Sequence, residues 1–434
     1  MTSRRHRPDS PLLNSSGIPP LALRSSLRER FWNGRRERTG ARLTRTGHKG
    51  RPGAMIRMCR VTALFVSVCA VLTGMASSAF AAPDGWTVQK MPNFRGDDGW
   101  LESVSCWSAK RCIAVGNSAD GHRRYTWHSY AVRWNGKKWK AGKVAAAFRV
   151  ELSGISCWSA RGCIAVGSGQ VGGGSVAERW NGHSWKRQRL PKDPLVTDSF
   201  EPYRFGVLAD VSCWSARGCF AVGSGGSDPY TVRILRWNGR SWRLLRTPRL
   251  RRGSYLYSLS CSSWRRCIAV GMTGARRGRP LSALWNGHSW RPIKTPGPRG
   301  GGALTSISCW SARGCGAVGF GGASGGRTLG ARWNGHAWKL QKTPNDHQGS
   351  LGSVSCASRK SCLAVGARPM PYIGGNAASW NGKDWLSQGV IAPSGVLRDV
   401  ACWKAKRCIT IGNTIGFVGK DETRSRMFAA SWKG

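Results

Sequence analysis

Of the 16 cysteines, all but Cys59 and Cys69 fall into pairs of the form Cys-x5-Cys: Cys106 with Cys112, Cys157 with Cys163, Cys213 with Cys219, Cys261 with Cys267, Cys309 with Cys315, Cys356 with Cys362, and Cys402 with Cys408. Thiols at such a spacing either ligate a metal or close a disulfide. A structural zinc site takes four ligands, and each pair here supplies two thiolates with no histidine at a matching position. Neither a metal nor any other cofactor is expected. An even set of cysteines at fixed local spacing, in a chain with an export signal, reads as a disulfide framework of seven small loops.

Other groups offer less chemistry. Acidic residues number 20 in 434, and a glycoside hydrolase needs two carboxylates about 5 to 10 Å apart. Glu102, Asp210 and Asp399 stand just ahead of cysteine pairs in three different repeats, so they could approach a common axis, though structural carboxylates bonded to backbone amides are commoner there. His183, His288 and His336 occupy one slot, after Asn-Gly, in three repeats. Equivalent positions cannot converge on one metal, so they read as exposed turn residues, as His122 and His128 read as loop residues. No nucleophile elbow, phosphate loop or helical zinc motif is present. A chain without catalysis is the expectation.

Charge is the larger signal, with 68 Lys and Arg in the whole chain. The first 81 residues hold 15 of the basic and 3 of the acidic residues, so the remainder carries 53 against 17, a formal excess of 36. Such an excess concerns association with anions and says nothing of fold.

The elements that must carry these groups follow from a period of about fifty residues. The octapeptide SCWSARGC occurs at Ser156–Cys163, Ser212–Cys219 and Ser308–Cys315, and near-copies surround the other pairs. Each pair but the last is trailed by WNGxxW: Trp134 and Trp139, Trp180 and Trp185, Trp237 and Trp242, Trp285 and Trp290, Trp333 and Trp338, Trp380 and Trp385. The last repeat stops at Trp432, and its missing half appears near the amino terminus as GWTVQKMPN, beginning at Trp86. The repeat is circularly permuted.

Within a repeat, alternating apolar and small residues punctuated by turn residues predict four short strands. The first runs into the first cysteine, as in Leu351–Cys356, and the second leaves the other cysteine, as in Cys112–Gly116; the third ends in WNG, and the fourth starts at the next tryptophan. Asn-Gly supplies left-handed positions for a hairpin turn, which places the two tryptophans across from each other. Four-stranded antiparallel units repeated seven times predict an all-β fold, a seven-bladed β-propeller closed by its amino-terminal strand with one disulfide per blade. Most of the tryptophans, those of the Cys-Trp and SSW slots included, are expected in the core.

The repeat SVSCxSxxxCxAVG…WNGxxW resembles that of secreted propeller-repeat proteins of high-GC Gram-positive bacteria, most without an assigned activity. The completion of the last blade by the first strand is similar to that of WD-repeat propellers. The resemblance covers residues 84–434 and implies architecture, with no catalytic residue. SADGHRRYTW, at Ser118–Trp127, has the residue types of a sialidase Asp box at the wrong spacing.

Residues 55–81 have a basic start, an apolar run and an Ala79-x-Ala81 ending, the pattern of a secretory signal peptide cleaved after Ala81. The run Val61–Leu72 is short for a membrane span. Residues 1–54 read as a disordered basic extension or as sequence upstream of the true start, and residues 82–434 as the propeller.

Alternating strands place the turns within cysteine pairs and WNG motifs on one face of the ring. That face collects Lys110, Arg111, Arg161, Arg217, Arg265, Arg266, Arg313, Arg359, Lys360, Lys404, Lys406 and Arg407. The other face has long, unequal, Gly-rich loops, the usual place for function. There Arg249, Arg251 and Arg252, with Arg276, Arg277 and Arg279, flank one blade, and six guanidiniums can clamp a polyanion. The expectation is a secreted monomeric binder of an anionic polymer or polysaccharide. A carbohydrate-active enzyme using the axial carboxylates and a scaffold for another exported protein are the alternatives. Genomic nucleic acid is not expected, since no stacking platform is evident and the chain carries an export signal.

Overall fold

The computed structural model describes residues 83, 85–92, 98–119, 127–145, 150–169, 174–191, 207–225, 231–274, 278–322, 326–344, 349–368, 374–392, 394–418 and 422–434. These build seven four-stranded antiparallel sheets, each a blade of a propeller. In blade one the strands, from the axis outward, are Asp98–Ser108, Arg111–Ala119, Trp127–Trp134 and Trp139–Gly142. Blade seven is composite: Gly395–Lys404, Arg407–Val418 and Glu422–Lys433 are completed by Trp86–Gln89. Trp86 lies opposite Trp432 in an antiparallel pair, so the first described strand zips onto the last. Trp86 is 6% exposed within a core shared with blade six.

The repeated tripeptide Ala-Val-Gly has a steric cause. In blade one Leu101 pairs with Gly116 and Ser103 with Val115, which leaves Glu102 as the extra residue of a β-bulge. The bulge drives the carbonyl of Trp100 onto Gly116, where a Cβ would collide with the oxygen. Gly167, Gly223, Gly271, Gly319, Gly366 and Gly412 meet the equivalent carbonyl in the same way. Any side chain there would force the two inner strands apart.

All seven cysteine pairs are disulfides joining directly opposed residues, with Cα atoms 3.9–4.1 Å apart. On the chain-entropy model, closing so small a loop contributes roughly 2 kcal/mol. Tryptophan pairs face each other across the two outer strands of every blade, with ring centroids 5.5–6.1 Å apart. The WNG turn differs from expectation. Gly136 alone is left-handed, at φ 93°, while Asn135 keeps an ordinary φ and its Oδ1 accepts the N–H groups of Lys137 (2.9 Å) and Lys138 (2.8 Å). The turn is a four-residue connection organised by the asparagine side chain.

Among the described residues no helix is long and apolar enough to cross a membrane. Seven disulfides fit an oxidising compartment. The predicted extension at 1–54 and signal segment at 55–81 lie outside the described residues.

Candidate functional site

The innermost strands of adjacent blades are joined by two circles of hydrogen bonds. In one, the backbone N–H of the first cysteine of a blade donates to a serine hydroxyl of the preceding blade, from Cys157 to Ser105, Cys213 to Ser156, Cys261 to Ser212, Cys309 to Ser260, Cys356 to Ser308 and Cys402 to Ser355, all at 2.9–3.0 Å. At the seventh joint the serine is replaced by Ala401. In the second circle the N–H two residues before the cysteine reaches the side chain two residues further up the preceding blade, as Ile155 N to Ser103 Oγ (3.3 Å) and Val354 N to Ser306 Oγ (3.1 Å).

Asp210 and Asp399 occupy this second circle. The blade before Asp210 offers Gly154, which has no acceptor, so Asp210 Oδ1 takes the N–H of Val211 (2.7 Å) while Oδ2 takes Ser258 Oγ (2.8 Å) and Leu259 N (3.0 Å). Asp399 Oδ2 accepts from Ser103 Oγ (2.9 Å) and Val104 N (2.8 Å), and Oδ1 from Ser353 Oγ and Val400 N (2.9 Å). Asp399 therefore bridges two joints, to blade one and to blade six, while Asp210 bridges to blade four and caps the N–H that Gly154 leaves without an acceptor. Both are half-buried, but the protein packed round them makes desolvation the largest influence on their carboxyls. It pushes Asp210 up to about 7 against its hydrogen bonds, with the charge of Asp399 adding to the rise, and raises Asp399 as well. Glu102 is paired with Arg398 at 3.1 Å, and the same guanidinium donates to Asn413 Oδ1 (3.1 Å). The three axial carboxylates are thus engaged in holding blades together.

The arginine neighbourhood lies on the opposite side of blade four from its disulfide. Arg249, Arg251 and Arg252 are exposed on the connection entering the blade, and Arg279 is exposed just before its third strand, Pro280–Trp285. Two backbone arrangements hold these loops. The carbonyl of Arg251 accepts both Ser254 N (3.2 Å) and Ser254 Oγ (2.7 Å), and Arg279 N donates to Thr273 Oγ1 (3.0 Å) while its carbonyl accepts Thr273 N (2.9 Å). Gly274 packs directly on the carbonyls of Gly253 and Arg252, so closely that a Cβ would collide with them. The two loops are therefore in backbone contact. Arg276 and Arg277 lie outside the described residues.

On the other face His183, His288 and His336 are exposed in the WNG turns, each donating its backbone N–H to the turn asparagine at 2.9 Å. Among the described residues no group of three or more His, Cys, Asp or Glu side chains could hold a metal; His122 lies outside them.

Two aromatic features were not anticipated. The Cys-Trp side chains are half-buried and form part of a ladder with arginines: the guanidinium of Arg332 lies 4.8 Å from the Trp310 ring and 4.5 Å from that of Trp380 in the next blade. Arg179 is placed likewise between Trp158 (5.8 Å) and Trp237 (5.9 Å). The expectation that the SSW tryptophan joins the core is corrected. Trp264 stands two residues beyond the Cys-Trp slot, at the tip of the turn, and is 47% exposed with the Arg265 guanidinium 4.3 Å from its ring. The shift in frame between SCSSWRRC and SCWSARGC was the available signal.

No protein-family model and no curated protein sequence matches the chain. Solved structures do. YCF48 bound to a D1 peptide aligns over 82% of this chain and 100% of its own at 11% identity, with a TM-score of 0.51. YCF48 from Cyanidioschyzon merolae covers 81% of this chain and 98% of its own at 15% identity and a TM-score of 0.49. The six-bladed fucose-binding lectin of Aleuria aurantia covers 67% and 95% at 10% identity and 0.46. At such identities the likeness is one of fold: the chain is a seven-bladed propeller of four-stranded blades, similar in architecture to propellers that bind other molecules.

Proposed function

We propose that the chain is a secreted, non-catalytic, monomeric propeller that binds an anionic extracellular partner, such as a wall polymer or an acidic polysaccharide. The observation that carries this reading is the formal excess of 36 positive charges on residues 82–434. Blade four supports it locally, since two touching loops present Arg249, Arg251, Arg252 and Arg279 to solvent. Guanidiniums suit carboxylate, sulfate and phosphate groups because each offers two parallel donors. The export signal and the resemblance to secreted propeller-repeat proteins favour an extracellular setting. Against hydrolysis stands the occupation of Glu102, Asp210 and Asp399 by interblade bonds.

The test is chromatography of the purified protein on an immobilised polyuronate under a salt gradient, beside a basic control protein of matched charge. Retention beyond the control is expected, and replacing Arg249, Arg251, Arg252 and Arg279 by Gln should lower the eluting salt. Retention equal to the control would remove the reading. Turnover in a polysaccharide screen, lost in Glu102→Ala, Asp210→Ala or Asp399→Ala, would replace it with a glycosidase.

A further inference from the structure

The face opposite the arginine loops bears a more regular array. The turn inside the disulfide loop carries a cation at the same position in every blade, Lys406 in blade seven and, in the six blades that also have a WNG turn, Lys110, Arg161, Arg217, Arg265, Arg313 and Lys360. Each of these six stems lies across the glycine of the WNG turn in its own blade. The Cγ of Lys110 is 2.8 Å from where a Cβ on Gly136 would stand, and the corresponding distances are 2.8 Å for Arg161 on Gly182, 2.9 Å for Arg217 on Gly239, 3.4 Å for Arg265 on Gly287, 3.0 Å for Arg313 on Gly335 and 3.2 Å for Lys360 on Gly382. The glycine thus has two duties, a left-handed turn and a seat for the neighbouring stem. With its methylenes seated, each cation keeps its charged head in solvent.

The turns that carry these heads stand in one register. Five of the six disulfide turns follow an inner strand whose cysteine N–H is bonded to the preceding blade in one register, and blade one enters the same register through Ser105, which accepts Cys157 N, so successive turns are held at one height. All six side chains are exposed and have no carboxylate partner among the described residues. Asp384 is the single acidic residue in the disulfide and WNG turns of these six blades. The exposed indole of Trp264 projects from the same face. An extended chain lying across a ring meets a few of its blades, whereas a plane meets them all at once. An indole with a cation beside it suits the headgroup level of a bilayer, where its apolar body and polar edge are both accommodated.

We infer that this turn face is a docking surface for an anionic phospholipid bilayer, with the six seated cations contacting headgroup phosphates and Trp264 inserting at the interface. The surface is separate from the arginine loops, and the chain has two basic faces with different targets. Juxtaposed basic residues add to the binding of anionic membranes one by one, and the attraction decays within a Debye length, so a level array is more effective than a scattered one.

Sedimentation with extruded vesicles tests this, using equal parts phosphatidylglycerol and phosphatidylcholine, and phosphatidylcholine alone as the reference. One variant replaces the six seated cations by Gln. A second, of equal charge, replaces Arg249, Arg251, Arg252, Arg276, Arg277 and Arg279 by Gln. The first should lose binding about a hundredfold or more, the second should stay within about threefold, and Trp264→Ala should lose several-fold. A three-site variant, Lys110→Gln with Arg217→Gln and Arg313→Gln, should lose about tenfold, and it serves if the six-site protein does not fold. Equal losses in the two six-site variants would reduce the effect to bulk charge and overturn the inference. So would failure of the parent protein to bind phosphatidylglycerol vesicles, even with polyuronate retention intact. A matching hundredfold loss of affinity for soluble linear polyphosphate would assign the array to a polymer and overturn the bilayer.

Discussion

The joint between blades four and five and the joint between blades seven and one solve the same problem with different chemistry. At the first, Ile307 N and Cys309 N donate to the hydroxyls of Ser258 (3.4 Å) and Ser260 (3.0 Å), all neutral groups. At the second, Ala401 has no hydroxyl to offer Cys106, and charged groups take over: Asp399 receives Ser103 and Val104, Arg398 pairs with Glu102, and Asp98 Oδ1 accepts Ser425 N at 2.6 Å. The difference follows from connectivity. Blade five is tied to blade four by continuous chain, whereas blade one reaches the carboxy-terminal strands of blade seven only through Trp86–Gln89, a four-residue strand that must itself zip. Charge-assisted bonds are about twice as strong as neutral ones, and they stand where the chain supplies least.

The largest test of this contrast is Trp86→Ala. Losing a buried indole costs about 3 to 5 kcal/mol, and here ring closure is lost with it. Trp242, the same slot in blade three and 4% exposed, provides the comparison. Trp86→Ala should lower the melting temperature more than Trp242→Ala and open the ring to proteolysis; equal behaviour in the two variants would break the contrast.

Asp210 sharpens it, because this is a charged group at an internal joint. Its folded carboxyl is raised to about 7 from an ordinary 3.8, so between those values the native state holds a proton that the unfolded chain has released. The stabilisation is complete below about pH 4 and drains away as pH rises through 7, by a few kcal/mol at most at ~1.4 kcal/mol per pH unit. Melting temperature should therefore fall from pH 5 to pH 8, and Asp210→Asn should flatten that slope in part, Asp399 supplying the remainder. A parent protein whose melting temperature rises over that interval would contradict the assignment.

The smallest effect is a gain. Ala401→Ser restores the missing hydroxyl opposite Cys106 N and should add about 1 kcal/mol, a rise of a few degrees in melting temperature. No gain would mean that the seam lacks room for the bond the other joints make.

Much of this was legible beforehand because the repeat compares the chain with itself seven times. Cys-x5-Cys, Ala-Val-Gly and WNG recur at fixed intervals because each is dictated within one blade, by a local disulfide, a bulge and a turn. The axial position of Glu102, Asp210 and Asp399 could be read from their place before the first cysteine. Their engagement could not: Asp210 is needed because Gly154, in the preceding blade, leaves a donor without an acceptor. Nor could the seating of Lys110 on Gly136, which joins two turns 26 positions apart. The exposure of Trp264 was obscured by likeness to its neighbours.

The sequence by itself determined the strands, the disulfides and the circular order, since hydrophobic alternation, turn chemistry and thiol spacing act over a few residues. The tertiary structure decided which carboxylates bridge blades, which cations stand in register on one face and which tryptophan meets solvent. Those outcomes depend on what the preceding blade presents across a joint, and a pattern read along one repeat does not contain it.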